Sequence, residues 1–182
     1  MTTIDDILGF WFSEKTRARW WDKDDAFDAE VTRRFEDIHK EASAGKLADW
    51  ERTPEGALAL IICLDQFPRN MYRGTPRAFA TDDKARAAAD RAIGRGHDLS
   101  FEDIDHRLFY YLPLEHSERI EDQDRCVALV RERCPGSNYI KFALAHQDVI
   151  RRFGRFPHRN AILGRRNTPE EEDYLAQPGA GF

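Results

Sequence analysis

Apolar residues recur three and four positions apart along most of the chain, which is the spacing of one helix face. In the first such segment they are Ile4, Ile7, Leu8, Trp11 and Phe12. No run of alternating β-branched residues lies between turn residues, so no β-strand is predicted. The pattern predicts an all-α, single-domain antiparallel helical bundle or short α-solenoid with short connections.

Capping residues predict where the helices begin and end. Helix starts are expected at Thr3, Thr53, Ser100 and Thr168, three of them as capping boxes. Further helices are predicted from about Asp24 to Ala44, from Thr81 to the sequence GRG, from after Ser117 to about Cys134, and from Ser137 or Asn138 to Phe153. Proline is expected to end two helices, near Phe67 and at Pro113. One helical domain, 1–182, is expected to end in a flexible tail at about 176–182.

Composition indicates a soluble globular protein, with 41% hydrophobic and 34% charged residues among 182. The longest wholly apolar run, from Ala57 to Leu64, is far too short to cross a bilayer. Asp5 and Asp6 stand where a signal peptide needs positive charge. The three cysteines form no CxxC pair, and Cys63 is predicted to lie in the core. We therefore expect a cytoplasmic protein without a membrane partner.

Charge is unevenly distributed along the chain. The net charge of −5 argues against nucleic-acid binding. Yet the segment from Gln66 to Thr81 holds three arginines and no acid, and the segment from Val149 to Pro169 holds six arginines and no acid. Each contains Phe-Pro followed by arginine and asparagine, in QFPRN and RFPHRN. The two patches predict a local positive field on an acidic body.

Two interpretations of these patches are open. In a structural one, Arg69 and Asn70 satisfy carbonyl groups at the end of the preceding helix. In a functional one, each Phe-Pro begins a helix whose free N–H groups and arginines accept an anion, and the two ends face each other. The expected ligand is a small anionic metabolite or an acidic peptide end. The expected ligand-binding residues are Gln66, Arg69, Asn70, Tyr72, Arg73, Arg155, His158, Arg159 and Asn160.

An enzyme is the alternative function. The sequence LPLEHSE brings Glu115 and His116 together, and Glu115 with His116 or His158 would form an acid–base pair. A small hydrolase or lyase acting on an anionic substrate fits these three candidate catalytic residues. His146 shares a helix face with apolar residues and is predicted to be a hydrogen-bonded core histidine. With no HExxH motif and no nucleotide fingerprint, neither metal nor cofactor is predicted.

A third possibility is that the protein serves through assembly. The N-terminal segment is rich in tryptophan, and exposed aromatic residues mark interfaces, so Trp20 and Trp21 make this segment a candidate homodimer face. Trp11 lies at helical spacing within an apolar run and is predicted to be core.

Five stretches together resemble the bacterial domain-of-unknown-function 924 family over nearly the whole chain. They are GFWF, RWW, LDQFPRNMYRGTPRAFATD, FYYLPLEHSE and FGRFPHRNAILGRRNTPEE. The resemblance implies a bacterial, uncharacterised protein with an all-helical fold like the tetratricopeptide-repeat superfamily, and it carries over no catalytic residue. By position, the motif residues of the family fall on Gln66, Pro68, Arg69, Asn70, Tyr72, Arg73, Glu115, His116, Phe156, Pro157, His158, Arg159 and Asn160. Asn167 stands where the resemblance leads us to expect a serine.

Overall fold

The computed structural model describes residues 2–181. Within them the chain forms nine α-helices and no β-strand, which confirms the predicted all-α fold. The helices are α1 (Ile4–Trp11), α2 (Glu14–Arg17), α3 (Asp25–Ser43), α4 (Pro54–Met71), α5 (Asp82–Gly94), α6 (Ile104–Glu115), α7 (Ile120–Arg133), α8 (Tyr139–Phe153) and α9 (Pro169–Leu175). Short 3-10 helices span Ala48–Arg52, Pro76–Phe79, His97–Ser100 and Pro157–Arg159. The resemblance to tetratricopeptide repeats stays a prediction.

Local capping chemistry sets several helix starts where the sequence predicts them. Thr3 and Thr168 form capping boxes at the starts of α1 and α9, and Thr53 caps α4. One prediction was wrong, because Asp103 rather than Ser100 caps α6. An N-cap needs a side chain that accepts a backbone N–H from the first turn, and the carboxylate of Asp103 does this.

Two helices pass through the prolines at which the sequence predicts an end, so both of those predictions were wrong. Pro68 lies inside α4 and Pro113 inside α6. A proline has no N–H for the carbonyl four residues earlier. At Pro68 the missing donor is replaced, because the hydroxyl of Thr81 donates to the carbonyl of Leu64 at 2.5 Å. α4 can therefore continue into the sequence that carries Arg69.

The core is built around α4. From α3 to α8 each α-helix packs against its neighbour in sequence, and α4 also touches α1 and α6. The apolar run from Ala57 to Leu64 is buried, Cys63 is fully inaccessible, and both features confirm their predicted place in the core. A smaller apolar cluster of Val149, Ile150 and Phe156 joins α8 to the 3-10 helix that follows. No helix within residues 2–181 is long and apolar enough to span a membrane.

Candidate functional site

Seven ionisable side chains meet where the ends of α4 and α6 approach the start of α5 and the 3-10 helix Pro157–Arg159. We call them the inner cluster: Asp65, Arg69, Asp82, Glu115, His116, His146 and Arg159. Helix geometry brings them together, because Asp65 and Arg69 lie one turn apart on α4. Asp82 is the first residue of α5, and Glu115 is the last residue of α6.

Asp65 is the fully buried centre of the inner cluster. Its carboxylate accepts hydrogen bonds from Nδ1 of His116 at 2.9 Å and from the side-chain amide of Gln66 at 2.5 Å. A guanidinium nitrogen of Arg69 lies 3.1 Å from the same carboxylate. Burial works to raise the pKa of Asp65, but the Arg69 charge and the contact with His116 lower it below its usual range. Asp65 is therefore ionised at neutral pH.

His116 is oriented by this carboxylate. Burial and then the positive charge of Arg69 lower the pKa of His116, so the ring is neutral at neutral pH. Because ionised Asp65 can only accept, Nδ1 carries the proton and Nε2 keeps a free lone pair. Nε2 makes no hydrogen bond with residues 2–181, and the side chain keeps 15% of its surface exposed. A neutral histidine held this way can act as a base.

The two Phe-Pro stretches meet at Arg69 and Arg159. Arg69 forms a two-pronged ion pair with Asp82, with both nitrogen–oxygen distances at 3.0 Å. Arg159 also reaches this carboxylate, more loosely, at 3.5 Å. Both guanidinium groups also stack on the ring of Phe79, at 5.7 and 4.7 Å from its centre. Two positive charges thus share one carboxylate.

Arg159 is held in an unusual environment for an arginine. Only 7% of the residue is exposed, and one of its terminal nitrogens donates to the carbonyl of His116 at 3.0 Å. Its buried Nε has no hydrogen-bond partner within residues 2–181. Burial and then the charge of Arg69 lower the pKa of Arg159 to about 10. The group stays charged at neutral pH and is incompletely satisfied.

Glu115 and His146 form the innermost part of the cluster. Nδ1 of His146 lies 3.4 Å from a carboxyl oxygen of Glu115 and donates to the carbonyl of Phe142 at 2.9 Å. Burial and then the negative charge of Asp65 raise the pKa of Glu115 to about 8, whereas burial lowers the pKa of His146 to about 3. Both groups are therefore neutral at neutral pH. The predicted core histidine at His146 is confirmed.

The rest of the first Phe-Pro stretch faces α3. Arg73 forms a two-pronged ion pair with Asp28 at 2.6 and 2.9 Å, and Asn70 donates to the same carboxylate at 2.7 Å. Tyr72 points to Glu36 at 3.4 Å. The predicted helix start at Pro68 was wrong, because these residues lie at the C-terminal end of α4. Arg69 also donates to the carbonyl of Asp65, as the structural interpretation predicts.

The rest of the second stretch secures α9. Arg155 forms a two-pronged ion pair with Glu171 at 2.6 and 2.8 Å, and Asn160 donates to Glu171 at 3.2 Å. Arg165 pairs with Glu118 at 2.7 Å. The Phe-Pro of this stretch opens a 3-10 helix of only three residues, so the predicted helix N-terminal anion site was wrong here too. Asp82 and Glu171 lie just after the two stretches in the chain, whereas Asp28 and Glu118 are 45 and 47 residues from the arginines that they pair with.

Sequence and structural comparisons identify the family. The family described as "Bacterial protein of unknown function (DUF924)" matches residues 7–179. The chain belongs to the DUF924 family. A solved structure of a protein of unknown function from Agrobacterium tumefaciens is similar, with 46% sequence identity and a TM-score of 0.90. That match covers 95% of this chain and 96% of the other. No curated protein matches the sequence.

Membership of the DUF924 family confirms the predicted resemblance, and the family description names no activity. The inner cluster holds Arg69, Glu115, His116 and Arg159 from the predicted set, with Gln66 bonded to Asp65. Asn70, Tyr72, Arg73, Arg155 and Asn160 lie outside it. His158 lies beside the cluster in the 3-10 helix Pro157–Arg159.

The sequence prediction missed Asp65 and Asp82. Asp65 had a detectable signal, since a carboxylate four residues before Arg69 is the spacing of a helical ion pair. Asp82 gave none, because it meets Arg69 only after a loop of the folded chain. In residues 2–181 no group of three or more His, Cys, Asp or Glu side chains is arranged to hold a metal ion.

Two surface depressions lie away from the inner cluster. One, of about 470 Å³, is lined by α1, α2 and α3 and includes Asp6, Arg19 and Arg34. The other, of about 280 Å³, lies between α4 and α5 and includes Glu51 and Lys84. Several of their charged side chains already have partners: Arg19 pairs with Asp24, and Lys84 donates to the carbonyl of Ser43.

Proposed function

We propose that this protein binds a small anionic molecule at the inner cluster, with Arg69 and Arg159 holding the acidic group. The observation that carries the proposal is that both guanidinium groups converge on the carboxylate of Asp82. A guanidinium fork matches carboxylate and phosphate oxygens equally well. Asp82 thus marks the place that the acidic group of a metabolite or of a peptide end would take or share. Three free buried cysteines suit a reducing cytoplasm as its location.

Charge balance determines how an anion could enter. The charges of Arg69 and Arg159 are matched by those of Asp65 and Asp82 in the free protein. A further anion therefore has to displace Asp82 from Arg159, whose contact is the looser one at 3.5 Å. It would also favour protonation of His116, because a nearby negative charge raises the pKa of a histidine. Anion affinity should then fall as the pH rises.

A single substitution tests the role of Asp82. Asp82→Asn removes the internal carboxylate, so both guanidinium groups become available and anions should bind more tightly than to the natural protein. A thermal-shift series with sulfate, inorganic phosphate, succinate and citrate measures this. Bound anion stabilises the fold by about 2.7 kcal/mol at a hundredfold excess over its dissociation constant. Asp83→Asn is the matched control, since the Asp83 side chain is 98% exposed.

Arginine substitutions complete the test. In the Asp82→Asn background, Arg159→Gln should abolish the gain in anion affinity. Arg33→Gln, on the exposed surface of α3, should leave that gain intact. If Asp82→Asn lowers stability and no anion raises the melting temperature beyond a general salt effect, the ion pairs are structural and the anion site is rejected.

Acid–base catalysis on the bound anion is the second candidate function. It is favoured by one observation, the hydrogen bond from Nδ1 of His116 to Asp65, which leaves Nε2 as a base while Arg69 contacts the same carboxylate. His116 would take or give the proton, Asp65 would fix its tautomer, and the arginines would hold a substrate of hydrolase or lyase type. Glu115 would serve as the acid, because it is protonated at neutral pH.

Substrate screening with His116 variants tests this candidate. A library of small carboxylate and phosphate esters is incubated with the natural protein, and turnover is followed by mass spectrometry. An activity that disappears in His116→Gln, while anion binding persists, supports catalysis. Activity unaffected by His116→Gln excludes His116 as the base.

A further inference from the structure

After α9 the chain returns to His158, which lies beside the inner cluster. Residues 177–181 fold into a turn in which the N–H of Ala180 donates to the carbonyl of Gln177 at 3.1 Å. The N–H of Gly181 then donates to the hydroxyl of Tyr174 at 3.4 Å. The ring of Tyr174 packs on Phe153 of α8, 5.2 Å between centres. The flexibility expected for 176–182 stays a prediction, and residue 182 lies outside the described residues.

The turn ends against His158. A β-carbon added to Gly181 would lie 3.2 Å from the β-carbon of His158, a closer approach than side chains tolerate easily. Gly181 has a φ of +93°, a backbone conformation that favours glycine. The backbone therefore passes close to the histidine, and a side chain at position 181 would both press on His158 and strain the backbone.

His158 is partly buried and precedes Arg159 in the 3-10 helix Pro157–Arg159. Its ring packs on Phe156, 5.6 Å between centres. Burial and then the neighbouring positive charge of Arg159 lower the pKa of His158 to about 4. The other charged or titratable groups acting on it are Glu118, His116 and Arg165. His158 is thus enclosed between the arginine side of the inner cluster and residues 177–181.

We propose that residues 177–181 form a strap that closes the His158 side of the inner cluster, and that its release lets an anion reach Arg159. The first half of the proposal depends only on the contacts of Gly181 and Tyr174. The second half rests on the anion binding proposed above.

The strap is tested by Gly181→Val, which cannot keep the close approach to His158. Gly179→Val is the matched control, because Gly179 also has a positive φ, +79°, but among residues 2–181 nothing lies within 4 Å of an added β-carbon. Both changes strain the backbone alike, and only the first opens the strap. Tyr174→Phe is a milder second variant that removes the hydroxyl holding Gly181 and keeps the ring on Phe153.

Two readouts follow His158 itself. In NMR titrations the pKa of His158 should rise from about 4 toward the ordinary 6.5 in Gly181→Val and stay low in Gly179→Val. Acylation of His158 by diethyl pyrocarbonate, located by mass spectrometry, should accelerate several-fold in Gly181→Val and Tyr174→Phe. The ring of His39, which bonds the carbonyl of Cys63, is the internal reference. Equal behaviour of the two valine variants would overturn the strap.

Sulfate binding separates the two halves of the proposal. A lower sulfate dissociation constant in Gly181→Val than in Gly179→Val supports gating. A shifted His158 titration with unchanged sulfate affinity overturns gating. If the His158 titration shifts but neither the natural protein nor any variant binds sulfate, the strap is supported and the anion function is rejected. Failure of the strap and failure of the anion function therefore give different results.

Discussion

At the scale of single residues, buried charge is tolerated here because each charged group has a specific partner. Asp65 has no exposed surface, and it would cost several kcal/mol to bury alone. Arg69 and His116 supply the compensation, and in return Asp65 fixes which nitrogen of His116 carries the proton. A site for proton chemistry and a structural ion pair thus use the same three side chains.

The titration of His116 tests this arrangement. Burial and then the positive charge of Arg69 lower the pKa of His116, and the negative charge of Asp65 raises it. We therefore predict that Arg69→Gln raises the pKa of His116 and that Asp65→Asn lowers it further, as measured by NMR of the imidazole. Arg33→Gln, which removes the same charge at a distant exposed position, should leave the pKa of His116 unchanged. Shifts of the same sign in both inner variants would contradict the assigned contacts.

At the scale of elements, the continuation of α4 through Pro68 depends on a hydroxyl from another element. Thr81 donates to the carbonyl of Leu64, which Pro68 leaves without its helical partner. The same hydroxyl makes no capping bond at the start of α5. This one contact lets α4 extend to Arg69 and places α5, with Asp82, beside it.

A double-mutant cycle measures that contact. Thr81→Val should lower the free energy of unfolding by about 1–3 kcal/mol, because the buried Leu64 carbonyl loses its donor. In a Pro68→Ala background the restored backbone N–H serves that carbonyl, so Thr81→Val should cost clearly less. Denaturant unfolding of the four proteins gives the coupling energy. If Thr81→Val lowered the free energy of unfolding equally in both backgrounds, the Thr81 hydroxyl would not replace the backbone N–H that Pro68 lacks.

The same element shows how far the sequence alone could predict the fold. The caps at Thr3, Thr53 and Thr168 were predictable because an N-cap and its partner lie within three residues. The passage of α4 through Pro68 was not, since Thr81 lies 17 residues after Leu64, whose carbonyl it serves. In the candidate site, too, contacts between residues close in sequence were predictable and contacts between distant residues were not. Its arginines could be found as acid-free stretches, but several of their acids come from other elements, such as Asp28, 45 residues before Arg73.

At the scale of the whole molecule, charge that is sorted along the sequence is mixed in space. In both arginine-rich stretches arginines pair with acids from other parts of the fold, such as Arg73 with Asp28 and Arg165 with Glu118. What remains unusual is the interior. Burial is the largest cause of a lowered pKa at each of five histidines, namely His39, His106, His116, His146 and His158. Folded histidines that resist protonation weaken the fold as the pH falls below about 6.5.

The predicted homodimer face at the N-terminal tryptophans is a separate property of the whole molecule. Trp11 is buried as predicted, whereas Trp21 is 60% exposed. The predicted homodimer is tested by the solution mass of the natural protein and of Trp21→Ser. A dimer that dissociates on this change supports the tryptophan face, and a monomer at all concentrations excludes it.

Glu115 makes the stability of the fold depend on pH in the opposite direction to the buried histidines. Its folded pKa of about 8 lies above the unfolded value of 4.5, so its contribution to stability is fully present below pH 4.5 and is lost as the pH rises to about 8. Glutamine resembles the protonated acid at every pH. We therefore predict that Glu115→Gln gains stability over the natural protein between pH 5 and 8, by up to about 1.4 kcal/mol per pH unit.

The comparison isolates Glu115 because the histidines are common to both proteins and cancel in the difference. Any packing defect caused by Glu115→Gln near His146 adds a constant offset and leaves the slope unchanged. Urea unfolding of the two proteins at several pH values gives the difference directly, and Glu121→Gln, at an exposed position of α7, should show no such slope. A difference independent of pH would mean that Glu115 is ionised in the fold. The inner cluster would then carry a net negative charge, which would oppose anion binding.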